Sequence, residues 1–406
     1  MPLVFVHGVN TRKGEPGYEA QRLLTEKFLQ KHLKDASING KAMATVKPRF
    51  PYWGDLGTEF AWNMASLPAG QINALGAGVE DDLRPLIGFI GDVLADPKGA
   101  QAQPLLTLAR KSLLHAVRAV SDLLLRQAKP ADAESVASFI AAAQAYAEAN
   151  PQPAWLAAIT TDQQFINKLV SETATASVAP GTQALGLFDP VINPLSAAAA
   201  KLKGAVTSAA STVLNKTGDF ASTKLLAWGR RPLNAVLGRF FGDVFVYLDA
   251  RGDKNAPGAI PSVILGEIAQ AMQDGPAGEP LVIIGHSLGG VISFDLLSYF
   301  RPDITVDLFI SVGSQVSHFE EIKRFKNSNA SIPSAQQKLA TTPANIRHWI
   351  NVFDEVDIFA YACDKVFDRV RDFRYDTETY TIKAHGAYFE QGRFYQRLRA
   401  RIDQLP

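Results

Sequence analysis

Cysteine is almost missing from this 406-residue chain, Cys363 being the single one. An internal disulfide is thereby excluded, and the expectation is a chain that folds in a reducing compartment. An excess of charge of either sign is missing too. With 41 basic against 40 acidic residues the formal net charge is +1, so no long-range field is available to grip a polyanion, and nucleic acid is not an expected partner. No apolar run reaches the ~20 residues that a membrane-spanning helix needs. The opening residues, Met1 to Gly8, have neither the basic stretch nor the small-residue cleavage site of a secretory leader. The expectation from these absences is a soluble, cytoplasmic protein. Clustered His, Cys and Asp spacings that would hold a metal are absent. The serine-glycine turn discussed below lacks both a Walker-type lysine and a G-x-G-x-x-G spacing. Neither a metal nor a cofactor is expected.

What is present is ordinary globular material, 47% hydrophobic and 20% charged, in a chain long enough for two domains or for one core with a large insertion. Three textures follow one another. Residues 1–55 alternate strand and helix signals: an apolar run Leu3–Val6, a helical spacing over Glu19–Leu33 and a β-rich piece Ala44–Phe50 leading to Pro51-Tyr52-Trp53-Gly54-Asp55. Residues 56–235 are dominated by alanine and leucine. There Leu106, Leu113, Val117, Val120 and Leu124 share one helical stripe, and Ala131–Ala149 and Leu195–Leu214 also read as helices. From 236 onward the alternation returns. Strands are expected at Leu281–Ile284, Val306–Val312, Ile346–Phe353 and Arg374–Ile382, and helices at Ile260–Met272, Val291–Phe300 and Tyr388–Ile402; Val244–Leu248 is apolar but of undecided type. Strands alternating with helices predict a mostly parallel sheet covered by helices. The predicted architecture is an α/β core domain, 1–55 and 236–406, interrupted by an all-helical insertion, 56–235.

The segment richest in chemistry is Leu281-Val-Ile-Ile-Gly285-His286-Ser287-Leu288-Gly289-Gly290. A bare G-x-S-x-G is weak by itself. Here an apolar strand enters it and an apolar helix leaves it, the strand–turn–helix context that exposes a serine hydroxyl above a sheet, at a helix N-terminus that favours negative charge. The plainer reading is a glycine-rich turn with an incidental serine. Ser287 is the candidate nucleophile. It needs a base to take its proton, and the base needs an orienting acid. His318, His348 and His385 lie downstream. His348 sits inside an apolar strand, as a structural histidine would, and His318 follows the strand ending near Val312. His385 comes between the last expected strand and the closing helix. Asp354 and Asp357 both lie just beyond the end of the strand Ile346–Phe353, the functional edge of an open α/β sheet.

Gly285-His-Ser-Leu-Gly-Gly290 resembles the nucleophile elbow of the α/β-hydrolase superfamily, specifically its lipase-like members, and Val4-Phe-Val-His7-Gly8-Val9-Asn10 resembles the strand and His-Gly loop of the same family. The resemblance covers residues 1–55 and 236–406; the insertion has no such likeness. It implies a serine ester hydrolase with the order serine, acid, histidine: Ser287, then Asp357 (with Asp354 as the alternative), then His385 ahead of His318. It further implies an oxyanion hole made by the backbone amides of Val9 and Leu288. One departure is that the chain begins at the His-Gly strand, so the family's first strands are lacking and a sheet edge needs cover. His7 is expected to order the loop, and His286 to pack beside the elbow.

An Ala/Leu-rich cap implies an apolar acyl group, with Phe89, Ile90, Leu94, Leu105 and Phe188 as wall residues or as cap core. The expected partner is an acyl ester or lipid substrate. A transient membrane-surface contact is weighed for Leu195–Leu214, with Lys201 and Lys203, and for the last helix, with Arg393, Arg397, Arg399 and Arg401. The alanine-rich helix lacks the large apolar residues of interfacial helices, and a solvated charged face is the preferred reading. Lipase, esterase and phospholipase activities share this machinery, as do thioester and amide cleavage. The rival classes are a non-catalytic binding or scaffold module on the same fold and a toxin- or defence-type phospholipase.

Overall fold

The computed structural model describes residues 2–43, 46–64, 103–177, 237–276, 278–379 and 381–405. The chain divides into two compact units, one comprising Met1–Arg12, Phe28–Asn63 and Ala235–Pro406, the other Lys13–Lys27 and Met64–Asn234.

The first unit is an α/β layer structure built on a six-stranded sheet. Its strands are β1 (Pro2–Val6), β4 (Lys47–Arg49), β5 (Val282–His286), β6 (Val306–Val312), β7 (Ile346–Phe353) and β8 (Arg371–Arg374), in the order β4-β1-β5-β6-β7-β8 with every neighbouring pair parallel. The central strands are apolar on both faces because helices cover a parallel sheet on both sides, and β1 and β6 are buried along their whole length. Pro48, which cannot donate to a ladder, falls on the edge strand β4, where that donor is dispensable. Between α1 (Tyr18–Leu33) and β4, the short strands β2 (Ser37–Ile38) and β3 (Lys41–Ala42) form a hairpin across Asn39-Gly40, both at positive φ as its tight turn requires.

From β1 the sheet grows outward to β4 on one side and then to β5 on the other. The loops after β1 and β5 therefore leave adjacent strands at a topological switch point, where open α/β sheets form their crevice. Register aligns Val6 with Gly285, His286 with Val312, and Val312 with Val352, so four strand ends lie level.

Residues 237–250 are helical, which settles the type of Val244–Leu248. Phe240, Val244 and Tyr247 are buried at a spacing of four and three, while Phe241 and Phe245 are exposed, the period of a helix and not of a strand. Helices at Ala259–Asp274, Leu288–Asp295 (continued by a wider π turn, Leu296–Phe300), Val316–Glu321, Thr381–Ala387 and Gly392–Ile402 complete this unit. The strand expected at 374–382 is corrected. β8 ends at Arg374, Asp376 accepts the Glu378 amide in a turn with Glu378 at positive φ, and a helix starts at Thr381. Alternating polar and β-branched residues here belong to a turn, not a ladder. The closing helix begins at Gly392, not Tyr388, after a single 3₁₀ turn.

In the second unit the described helices are Pro104–Lys111, Leu113–Gln127, Ala133–Ala149 and Asp162–Ser177, packed on one another. The single stripe from Leu106 to Leu124 belongs to two helices. Ser112 is extended, and its hydroxyl accepts the His115 amide as the N-cap of the second. Leu105 is buried; the expected helix Leu195–Leu214 and the expected wall residues Phe89, Ile90, Leu94 and Phe188 lie outside the described residues. No helix among the described residues is long and apolar enough to cross a membrane.

One buried ion pair ties the first unit. Arg251 donates to Asp295 at 2.7 Å, and the Tyr247 hydroxyl donates to the same carboxylate oxygen at 2.8 Å. Arg251→Ala leaves a fully buried carboxylate without its cation and is expected to cost about 3–5 kcal/mol of unfolding free energy, against about 1 kcal/mol for Tyr247→Phe. Urea denaturation checks both; equal, small losses would contradict the buried-pair account.

Candidate active site

Ser287 links β5 directly to the helix Leu288–Asp295, with backbone angles φ 51° and ψ −127°. Both of its backbone groups are fixed. Its N–H donates to the Val312 carbonyl at 3.0 Å, and its carbonyl accepts the Gly290 amide at 2.9 Å and the Ser314 hydroxyl at 2.7 Å. Gly289 is demanded by close approach, since a Cβ there would collide with the carbonyl oxygens of Val6 and His7. Gly8 is demanded likewise, because its Cβ would lie 2.6 Å from Ser287 Cβ. The His-Gly loop and the elbow thus touch at these glycines.

His385 is carried by the helix Thr381–Ala387 and points its Nδ1 at Asp357, donating at 2.9 Å and 3.0 Å to the two carboxylate oxygens. Asp357 is buried and also accepts the Phe359 amide at 3.0 Å and the Tyr388 hydroxyl at 3.0 Å. Three donors, the Phe359 amide, the Tyr388 hydroxyl and His385 Nδ1, thus converge on one carboxylate and fix its orientation. Asp354 has other duties: it accepts the Val356 amide, the Thr377 amide and the Thr377 hydroxyl. Of the two candidate acids, Asp357 is the one in contact with His385. His318 stacks on Tyr361 at 4.9 Å, and His348 hydrogen-bonds Asn39 at 2.7 Å; neither joins the Ser287 group.

Two buried polar atoms at this strand edge have no hydrogen-bond partner, the Ser287 Oγ and the His385 Nε2. They do not bond to each other. They do belong to one locality: Ser287 N–H bonds Val312 O, and a Cβ on the next residue, Gly313, would be 3.0 Å from Asp357 Oδ2 and 3.5 Å from His385 Nδ1. Reactive hydrogen bonds are commonly long before substrate binds.

His286 and His7 complete the frame. The His286 Nε2–H donates to the His385 carbonyl at 2.7 Å, the rings lying 4.9 Å apart. His7 stacks on Trp53 at 4.7 Å; its Nε2 accepts the Trp53 amide, its carbonyl accepts the Trp53 indole N–H, and its Nδ1 donates to Gly8 O. The Tyr388 contact with Asp357 and the His286 contact with His385 have no signal in the sequence, since each joins residues 31 and 99 positions apart. Among the described residues no group of three or more His, Cys, Asp and Glu could hold a metal ion. Burial pushes the Cys363 thiol up, which leaves it protonated and unreactive.

Comparison with known protein families, with characterised proteins and with solved structures yields no significant match.

Burial, with the neighbouring His385 adding to it, pushes His286 down to about 3. The unfolded chain protonates this residue near its ordinary value of about 6.5. Stability is therefore complete above that value and falls as pH drops through the window from about 6.5 to 3. In His286→Gln, proton uptake on unfolding between pH 6 and 4 should fall by about one, with His32 and His348, also lowered by burial, retaining a slope. Denaturation at stepped pH checks this; an unchanged slope would refute a neutral buried His286.

Proposed function

We propose that the chain is a serine ester hydrolase of the α/β-hydrolase, lipase-like type, with the insertion 56–235, whose described residues 104–177 are mostly helical, read as that family's cap. The observation that carries the reading is the pair of unpartnered buried atoms: a serine Oγ at a strained strand–helix turn, and the Nε2 of a histidine whose Nδ1 is held by a carboxylate. In the proposed reaction Ser287 Oγ attacks the ester carbonyl while His385 Nε2 takes its proton and Asp357 stabilises the imidazolium. The oxyanion is held by the amides of Val9 and Leu288. The Leu288 amide opens a helix, where N–H groups lack intrahelical partners, and one such donor is worth about 3 kcal/mol. The C–O bond to the leaving alcohol breaks, His385 returns its proton to that alcohol, and water, deprotonated by the same imidazole, hydrolyses the acyl-serine.

An apolar acyl chain is favoured by an aromatic run leading from the base. Phe359 lies 4.9 Å from His385, Phe240 is 4.9 Å from Phe359, and Phe241 is 5.5 Å from Phe240. Phe241 and Phe245 are 51% and 61% exposed, as apolar residues are at binding surfaces.

With a series of nitrophenyl esters from acetyl to dodecanoyl, wild-type turnover is expected, highest for the longer chains. Ser287→Ala should lose at least about a thousandfold in kcat, and Asp357→Asn about 10⁴-fold, while Asp354→Asn keeps most of the activity. Undiminished turnover by Ser287→Ala would overturn the proposal, and no turnover by the wild type on any ester would favour a non-catalytic module.

A further inference from the structure

The donor that the His-Gly loop supplies is only as good as the loop's fixation. The oxyanion-hole reading needs the Val9 N–H held still, yet Val9 lies beyond the end of β1, outside any ladder. Its neighbour Asn10 adopts φ 60°, a left-handed backbone that asparagine tolerates better than most residues. Something must hold it there.

That something is a carboxylate from far along the chain. Asp243, on the helix 237–250, is fully buried, with 0% of its surface exposed. Its Oδ2 accepts the Asn10 amide at 3.1 Å; its Oδ1 accepts the Thr58 amide at 2.7 Å and Arg12 Nη2 at 2.8 Å. Arg239, one helical turn earlier, donates to the Asn10 side-chain carbonyl at 2.6 Å. A buried anion is tolerable only when donors surround it, and here two of the donors come from residues 10 and 12 of one loop. Charge-assisted bonds of this kind are shorter and stronger than neutral ones. The same helix carries Phe240, which packs on Phe359 beside His385. One helix therefore touches both the loop that would bind the oxyanion and the wall of the candidate base.

We infer that Asp243 is a positioning residue for the oxyanion hole: by clamping Asn10 and Arg12 it fixes the direction of the Val9 N–H toward the Ser287 hydroxyl. The inference rests on the ester-hydrolase reading and adds to it a residue that no motif marks. Asp243 touches no reacting atom. Its removal acts through the loop, so it affects the tetrahedral state, where oxyanion charge develops, more than the ground state.

The test uses the full-length protein with Asp243→Asn, Asn10→Val and Arg12→Gln, each concentration normalised by titration of active serine with a fluorophosphonate. Asp243→Asn keeps the shape and removes the charge; Asn10→Val forces a β-branched residue into positive φ. The expected result for Asp243→Asn and Asn10→Val is a kcat per titrated site reduced about 10- to 100-fold, with KM changed less than about threefold. Affinity for a trifluoromethyl ketone, whose adduct carries the oxyanion, should fall by the same factor, and Arg12→Gln should show a smaller loss of both. A merely structural clamp would lower the titrated fraction or the melting temperature and leave kcat per site and inhibitor affinity at wild-type values; that result overturns the inference. If Asp243→Asn does not fold, the two loop variants decide it by the same criteria. Full turnover by Ser287→Ala would instead remove the parent reading, so the two failures are distinguishable.

Discussion

A serine backbone at φ 51° and ψ −127° is sterically crowded for an L side chain and costs of order 1–3 kcal/mol, so it persists only where its surroundings over-determine it. Here they do. The preceding strand is locked by register to β1 and β6, the following helix is buried against the sheet, and the serine's own N–H and C=O are hydrogen-bonded to Val312, Gly290 and Ser314. The other candidate groups are arranged around that bend. Gly8 is small so that the His-Gly loop can pass Ser287 Cβ, and Gly313 is small between Ser287 and the Asp357–His385 pair.

The charge arrangement is consistent with one dominant polar axis. Asp357 is buried and accepts donors from Phe359, Tyr388 and His385, which fix the direction of its carboxylate. His286, against His385, is neutral and acts as a donor to backbone, so it adds no competing positive charge. Tyr388 ties the Asp357 carboxylate to the Asp354 amide, and Asp354 in turn holds Thr377. Loops after β7 and β8 are thereby joined at the sheet's C-terminal edge.

Much of this was legible in the chain because the governing signals are local. Fully apolar runs at Leu3–Val6 and Leu281–Ile284, and the largely apolar Val306–Val312, read as buried parallel strands, and the glycine spacing around Ser287 reads as a bend because close approach admits only glycine at 289. Asp354 and Asp357 could be put forward together because loops following strands of a parallel sheet share one edge, whereas the preference for Asp357 and for His385 comes from the resemblance to lipase-like hydrolases. Other elements escaped for physical reasons. The helix 237–250 carries phenylalanines on both its buried and its exposed faces, which blurs its period. Residues 375–379 alternate like a strand, yet backbone amides donating to the Asp376 and Asp354 carboxylates turn them into a loop. Ser112 breaks a continuous apolar stripe because an N-cap hydroxyl competes with the helix. Tyr388, Asp243 and the His286–His385 bond depend on contacts between distant segments, which no local pattern encodes.

The central claim is that one serine hydroxyl at the β5–helix bend is a nucleophile activated by His385. It is tested most directly by treating the native protein with a fluorophosphonate and mapping the adduct by mass spectrometry of the intact chain and its peptides. The account predicts a single phosphonyl group on Ser287, lost in Ser287→Ala and formed much more slowly in His385→Ala. No adduct on the folded protein, or an adduct that persists in Ser287→Ala, would contradict it.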